Sequence, residues 1–239
     1  MHKRLEQLTE KTTGEIDMEK LLLGVDALSF LEGEGLRVLE SVLAREEDEA
    51  AGAAEKMGFP VALKICSPDV IHKTETGGIR VLLKSEGEVR RAFAEIVKSF
   101  RANHPEKRVQ GAIVQRMGRG FELIVGTRRD EQFGPVVMFG LGGIFAEAIR
   151  DVSFRLVPIE SRDAREMIEE LKSYSALKNP RSGTVDISSI EDFLLRVSNL
   201  MEKHGEIQEM DLNPVFVEGC DIEICDARIR TTPFHPVAR

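Results

Sequence analysis

The 239-residue sequence has no tryptophan, a single tyrosine and only three cysteines. Each shortage excludes something. With no tryptophan and one tyrosine, a nucleotide base is expected to be held by aliphatic side chains and not by a large aromatic stack. Cys66, Cys220 and Cys225 are too few and too irregularly spaced for a disulfide framework, and no CxxC pair completes a zinc site. They read as thiols of a reducing cytosol, which makes a cytoplasmic protein the expectation. Positive charge is also short: 33 lysines and arginines face 41 acidic residues, a formal net charge of -8. That balance argues against a chain built to hold nucleic-acid backbone, although a few cations and a metal ion can still gather phosphate locally. No apolar run reaches the roughly 18 residues of a membrane span, and the start carries no signal or transit pattern.

What is present suits two compact lobes. Residues 1–20 are polar and read as an arm. Residues 21–110 are expected to form a first lobe and 111–239 a second. From Asp26 to Met57 the pattern is mainly helical: Leu28, Leu31, Leu36, Leu39 and Leu43 recur mostly at threes and fours, with a break at Gly33 and Gly35 and a C-terminal stop at Gly58. Strands are expected at 60–66 and 79–83, then a helix at 86–101 capped by Ser85 with Glu88. Further strands follow at 109–117, 121–127 and 136–139; the GLGG run at 140–143 interrupts them, and another apolar segment begins at Ile144. Two helices fill 161–204, the second opened by a Ser188–Glu191 capping box. Two strands, 207–217 and 222–229, turn at Gly219. Strands and helices alternate without a strict βαβ rhythm, so the expected class is α+β or mixed α/β.

Three segments carry chemistry. Ser67 to Gly78 (SPDVIHKTETGG) lies between two strands, and Pro68, Gly77 and Gly78 keep it a loop. Its glycine N–H groups can approach phosphate oxygens, and His72, beside Lys73, is a candidate phosphate nucleophile; a surface loop with an incidental histidine fits the same residues. Lys64, on the strand before the loop, is a cation that could meet a phosphate or merely protect a sheet edge. The hairpin 109–127 could read an adenine edge, with Glu122 accepting a ribose hydroxyl. Near the end, period two puts Glu209, Asp211 and Asn213 on one face. Pro214 is expected to end the pairing there, and Asp226 comes close through the next strand. Such oxygen ligands suit Mg²⁺ bound to a nucleotide; a solvated acidic face is the alternative.

Together these pieces resemble the ATP-grasp subunit of the nucleoside-diphosphate-forming acyl-CoA synthetases. The resemblance rests on SPDVIHKTETGG, then QRM with FELIVGTRRDEQFGPVVMFGLGGIFAE, then DVSFRLVPI, and finally EMDLNPV with ICDAR, spanning residues 58–228. It implies an ATP-grasp fold in which two α+β lobes clasp a nucleotide. The reaction it implies is acyl-CoA + ADP + phosphate to acid + CoA + ATP, reversible and Mg²⁺-dependent. A separate CoA-binding alpha subunit, in a heterotetramer of two of each chain, would form the acyl phosphate.

By the same resemblance, His72 is the catalytic carrier, Lys64 contacts the nucleotide phosphates, and Gly77 and Gly78 let the loop move. Gln115, Arg116 and Met117 line the adenine hinge, with Glu122 near the ribose. Asn213 and Asp226 hold the metal, and Asp211 ligates it or supports the ligands. Arg128, Arg129 and Arg155 are candidates for offsetting phosphoryl charge. The stretch from Gly24 to Glu47 departs from the family by lacking its proline-marked strand. A succinate-type CoA ligase subunit is the enzymatic rival, one that lacks such a loop histidine. A regulatory module that binds nucleotide without turnover is the other.

Overall fold

Two antiparallel sheets organise the chain, and its strands do not visit them in sequence order. The computed structural model describes residues 20–69, 77–143, 151–178 and 184–232. The first half runs β1 (Lys20–Leu23), α1 (Val25–Gly33), β2 (Ser41–Ala44), α2 (Glu47–Met57), β3 (Val61–Cys66), β4 (Ile79–Leu83), α3 (Glu86–Asn103) and β5 (Gly111–Arg116). The second half runs β6 (Phe121–Asp130), β7 (Gly134–Leu141), β8 (Val152–Leu156), α4 (Ser161–Glu169), α5 (Tyr174–Lys178), α6 (Ile187–Lys203), β9 (Ile207–Glu218), β10 (Asp221–Ile224) and β11 (Ala227–Thr231).

The smaller sheet has the order β2-β5-β3-β4. The helices α2 and α3 cover one of its faces, burying Ala50, Ala54, Phe93, Ile96 and Phe100 against Val61, Leu63 and Ile65. Both helices have legible ends. Glu47, Asp48 and Glu49 occupy the first turn of α2, where the helix dipole favours negative charge, and Gly58 ends it at φ 81. Ser85 Oγ accepts from Glu88 N at the start of α3, and Lys84 N donates to Glu88 Oε2.

The larger sheet has the order β1-β11-β9-β6-β7-β8, with β10 also on β9. One face packs on α1, α4 and α6 through Leu28, Leu31, Met167, Leu194 and Val197.

Sheet pairing divides the chain otherwise than expected. β1 pairs with β11 at the far end of the sequence, so residues 20–36 belong to the larger unit. β5 lies between β2 and β3 of the smaller one, so the change of lobe follows Arg116 and does not precede Gly111. The expected arm lies outside the described residues except for Lys20, which opens β1. The helix expected through Leu43 is also replaced. Leu39 N donates to Ile224 O and Ile224 N to Arg37 O, and Ser41 to Ala44 pair with β5. Tertiary pairing of this segment overrides its helical spacing. A strand therefore stands where the proline mark is missing. Asp186, not Ser188, caps α6, accepting from Ser188 N at 3.0 Å. Pro214 does not end the pairing: β9 continues to Glu218 and pairs with β10 beyond it.

Candidate active site

Alternation decides which side chains of the smaller sheet look toward the larger one. Val61, Leu63 and Ile65 point to the helices, which leaves Lys64 on the opposite face of β3. On β5, Ala112 and Val114 point to the helices, and Gln115 shares the face of Lys64. Lys64 is only 8% exposed. Its Nζ donates to Cys225 Sγ at 3.3 Å, and the thiol donates to Gln115 Oε1 at 3.3 Å. Gln115 Nε2 donates to the Cys225 carbonyl at 2.7 Å and to Ser41 Oγ at 2.8 Å. This network ties β2, β3 and β5 to the break between β10 and β11. Burial pushes the Cys225 thiol up, the Lys64 ammonium pulls it down, and the Asp226 and Glu122 carboxylates add to the rise. All four groups therefore share one electrostatic neighbourhood.

Beside that break, Asn213 N donates to Asp226 O at 3.1 Å, which sets the two residues side by side. Asp211 and Asn213 are exposed, while Met210 and Leu212 are buried, so the polar pair occupies the sheet's open face as period two requires. Asp211 is one step along, opposite Gly126 and Arg228. Glu209, a further step along, accepts from Arg230 at 3.1 Å. Carboxylate and amide oxygens from a strand and the neighbouring break suit a hard cation. Among the described residues no three His, Cys, Asp or Glu side chains gather into a metal cluster.

Glu122, the second residue of β6, lies opposite Phe216, and its carbonyl accepts from Gly142 N at 2.7 Å. A Cβ on Gly142 would lie 3.0 Å from Glu122 Cβ, and one on Gly143 3.2 Å from Glu122 Oε2. The glycine pair of the GLGG run thus lets the chain pass close beside Glu122. At the linker between the sheets, Arg116 turns to β10, donating to Glu223 Oε1 at 2.6 Å. Met117 is half-buried. A Cβ on Gly118 would run into the Phe216 ring at 2.2 Å. Two cavities open beside this linker. One, of about 300 Å³, is bounded by Leu28, Leu39, Glu40, Ser41 and Arg116. The other, of about 220 Å³, is bounded by Arg116, Arg119, Phe216 and Glu223. Both adjoin the hinge; neither reaches Lys64, Asn213 or Asp226, so the side chains and not the cavities locate the chemistry.

Gly77, at φ 64, and Gly78 lead into β4, and the Gly78 carbonyl accepts from Ile65 N at 2.7 Å, next to Lys64. Before the loop, Asp69 accepts from Arg108 Nη2 at 2.7 Å, and the guanidinium holds its carboxyl down at about 2. His72 itself lies outside the described residues. Two of the three arginines are committed elsewhere. Arg129 donates to the carbonyls of Met201, His204 and Ile207, closing the end of α6, and Arg155 holds Glu170 at 2.9 and 3.0 Å. Sequence reasoning missed Ser41 and Glu223 as hinge partners, and took Cys225 only for a buried thiol although it lies inside the ICDAR run.

Residues 16–231 match the family of ATP-grasp domains. The chain belongs to the ATP-grasp family. It is 40% identical to the "Acetate--CoA ligase [ADP-forming] I subunit beta" of Pyrococcus furiosus, over 93% of this chain and 96% of that one. It is 43% identical to the "Acetate--CoA ligase [ADP-forming] I" of Archaeoglobus fulgidus over 94% of its own length, but spans only 34% of that relative. Among solved structures, the acetyl-coenzyme A synthetase 1 of Ca. Korarchaeum cryptofilum with coenzyme A and Ca-AMPCP matches at 43% identity and a TM-score of 0.87, covering 96% of this chain and 99% of that one. The same protein with coenzyme A and Mg-AMPPCP, its phosphohistidine segment pointing towards the nucleotide binding site, matches at 43% identity and a TM-score of 0.75, covering 89% and 93%. The ATP-grasp fold expected from the sequence is therefore present, in the mixed α+β form. No helix among the described residues is long and apolar enough to cross a membrane.

Proposed function

We propose that this ATP-grasp chain is the nucleotide-binding subunit of an ADP-forming acetate or acyl-CoA ligase, and that His72 relays phosphate to ADP. The observation that carries the reading is the contact of Lys64 with Cys225. It ties a buried ammonium of one sheet to the residue before Asp226, whose carbonyl accepts from Asn213 N, and this supports one cleft that offers a cation and two oxygen donors to one phosphate chain. Lys64 binds the nucleotide phosphates. Gln115, Arg116 and Met117 border the base, and Glu122 receives the ribose. Asn213 and Asp226 hold Mg²⁺, supported by Asp211; the ion, when bound, neutralises phosphate charge. Gly77 and Gly78 end the loop that bears the carrier.

The partner is a CoA-binding alpha subunit, two of each chain per assembly. The Pyrococcus relative is called a beta subunit, and the Archaeoglobus relative carries the matching segment within a chain about three times as long. The protein acts in the cytoplasm, on small molecules and not on nucleic acid. His72 favours the acetate type over a succinate-type ligase, and the Asn213–Asp226 pair favours turnover over a purely regulatory role.

The deciding experiment is mass spectrometry of the chain after incubation with Mg²⁺ and ATP, in alkali that preserves phosphohistidine. The expected result is an acid-labile phosphate on His72, absent from His72→Ala, with ATP formation from acetyl-CoA lost in that variant when the CoA-binding subunit is added. A His72→Ala enzyme with normal turnover removes the relay.

A further inference from the structure

Arg228 is the arginine whose surroundings call for an anion. It lies on β11, directly opposite Asp211 and two residues from Asp226. Its neighbours Ala227 and Ile229 are buried in the core, so Arg228 shares the open face of the sheet with Asp211 and Asn213. Its residue is partly buried, and its Nε is fully enclosed without a hydrogen-bond partner. Burying a guanidinium N–H with nothing to receive it is costly, and native structures rarely leave such a group unanswered. Other arginines of the larger sheet are answered. On the same strand Arg230 is held by Glu209, while Arg129 and Arg155 are held by α6 carbonyls and Glu170.

Position along the strands says which anion. The linker joins the sheets at the Phe121–Val217 end of β6 and β9. Moving away from it, one meets Phe216, then Asn213 beside Asp226, then Asp211 beside Arg228. Same-face residues on a strand are spaced by about 7 Å. A nucleotide with its base at the linker and its phosphates at Lys64 and Asp226 therefore points its far end at Arg228. The roots of the histidine loop lie at the same end of the smaller sheet: Val61 pairs with Arg116 next to the linker, and Cys66 with Gly111 at the opposite end.

We propose that Arg228 is a catalytic residue that binds the phosphoryl group in transit between the carrier histidine and the nucleotide. The idea rests on the nucleotide reading given above. Toward ATP, the P–N bond of the protonated phosphoimidazole breaks and its electron pair stays on nitrogen, leaving neutral imidazole. A terminal oxygen of ADP supplies the pair for the new P–O bond, and no proton is released. The planar guanidinium, with its fork of N–H donors, faces the phosphoryl oxygens while both bonds are partial.

The test measures single-turnover transfer from Mg-ATP to His72 and the affinity for Mg-ADP in the full chain and in Arg228→Gln and Arg228→Lys. Losing one such cation is expected to slow transfer by about 100-fold or more in Arg228→Gln. Mg-ADP affinity should stay within about threefold, because the group in transit is absent from ADP. Arg228→Lys should recover about tenfold of the lost rate, as a point charge without the fork. Retained Mg-ADP binding also reports that each variant is folded. Transfer at the wild-type rate in Arg228→Gln overturns the proposal, and so does a loss of Mg-ADP affinity equal to the loss of rate. If the wild-type chain takes no phosphate, alone or with its partner, the relay fails and this role falls with it; a phosphorylated wild type with an unimpaired Arg228→Gln sinks the role alone.

Discussion

Lys64 ends in a buried ammonium that donates to the sulfur of Cys225. The ammonium has three N–H donors, so the bond to the thiol holds it in place and leaves the other donors for phosphate oxygens. The thiol also donates to Gln115, so one side chain keeps the lysine and the hinge glutamine together. Cys225→Ala is expected to weaken Mg-ADP binding by about tenfold, the scale of one hydrogen bond to a charged group. Adenosine, which has no phosphate, should bind as before. Cys225→Ser retains a hydroxyl that can make both bonds and should lie within about threefold of the native value. Calorimetric titration with the two ligands separates these outcomes; an equal loss for adenosine would mean that Cys225 supports the base pocket and not Lys64.

Among the elements, the run from β9 through β11 concentrates the site. Its alternation buries Met210 and Leu212 and presents Asp211 and Asn213, while the break at Cys225 and Asp226 brings a second oxygen donor beside Asn213. Asp226→Asn keeps the shape of the side chain and its bond from Ala227 N at 3.0 Å, but removes the charge. The expected consequence is that the Mg²⁺ concentration for half-maximal nucleotide binding rises by about tenfold or more, while metal-free nucleotide binds no worse, since a repelling carboxylate is gone. An unchanged Mg²⁺ requirement would place the ion elsewhere.

For the whole molecule, the crossing 37–40 and the end of β5 at Arg116, where the crossing 117–120 begins, both meet β10. Arg37 pairs with Asp221 and Glu223, and Arg116 with Glu223. Both sheets thus hinge on one short strand, while Lys64 and Asn213 approach the cleft from opposite sides. A ligand that bonds to both sides favours the closed arrangement. Mg-ADP is therefore expected to lower the radius of gyration in solution scattering, and adenosine to leave it unchanged. No difference between the two would mean that the cleft is already closed.

The sequence by itself determined the local units and the chemistry. Ser85 with Glu88 announced a helix start, Gly58 a helix end, and the alternation of EMDLNPV the polar face of β9, because each depends on neighbours a few residues away. SPDVIHKTETGG and ICDAR pointed to phosphate transfer and to the family. Only the tertiary structure decided that β1 joins β11, that β5 sits within the smaller sheet, and that residues 41–44 are extended. Strand pairing over such separations is chosen by the partner surface and not by the segment's own spacing. The same holds for Cys225 and Arg228. A cysteine or an arginine in a strand has many uses, and its role depends on which groups the fold sets against it: Lys64 and Gln115 for one, and for the other Asp211 across the strand and an N–H left without a partner.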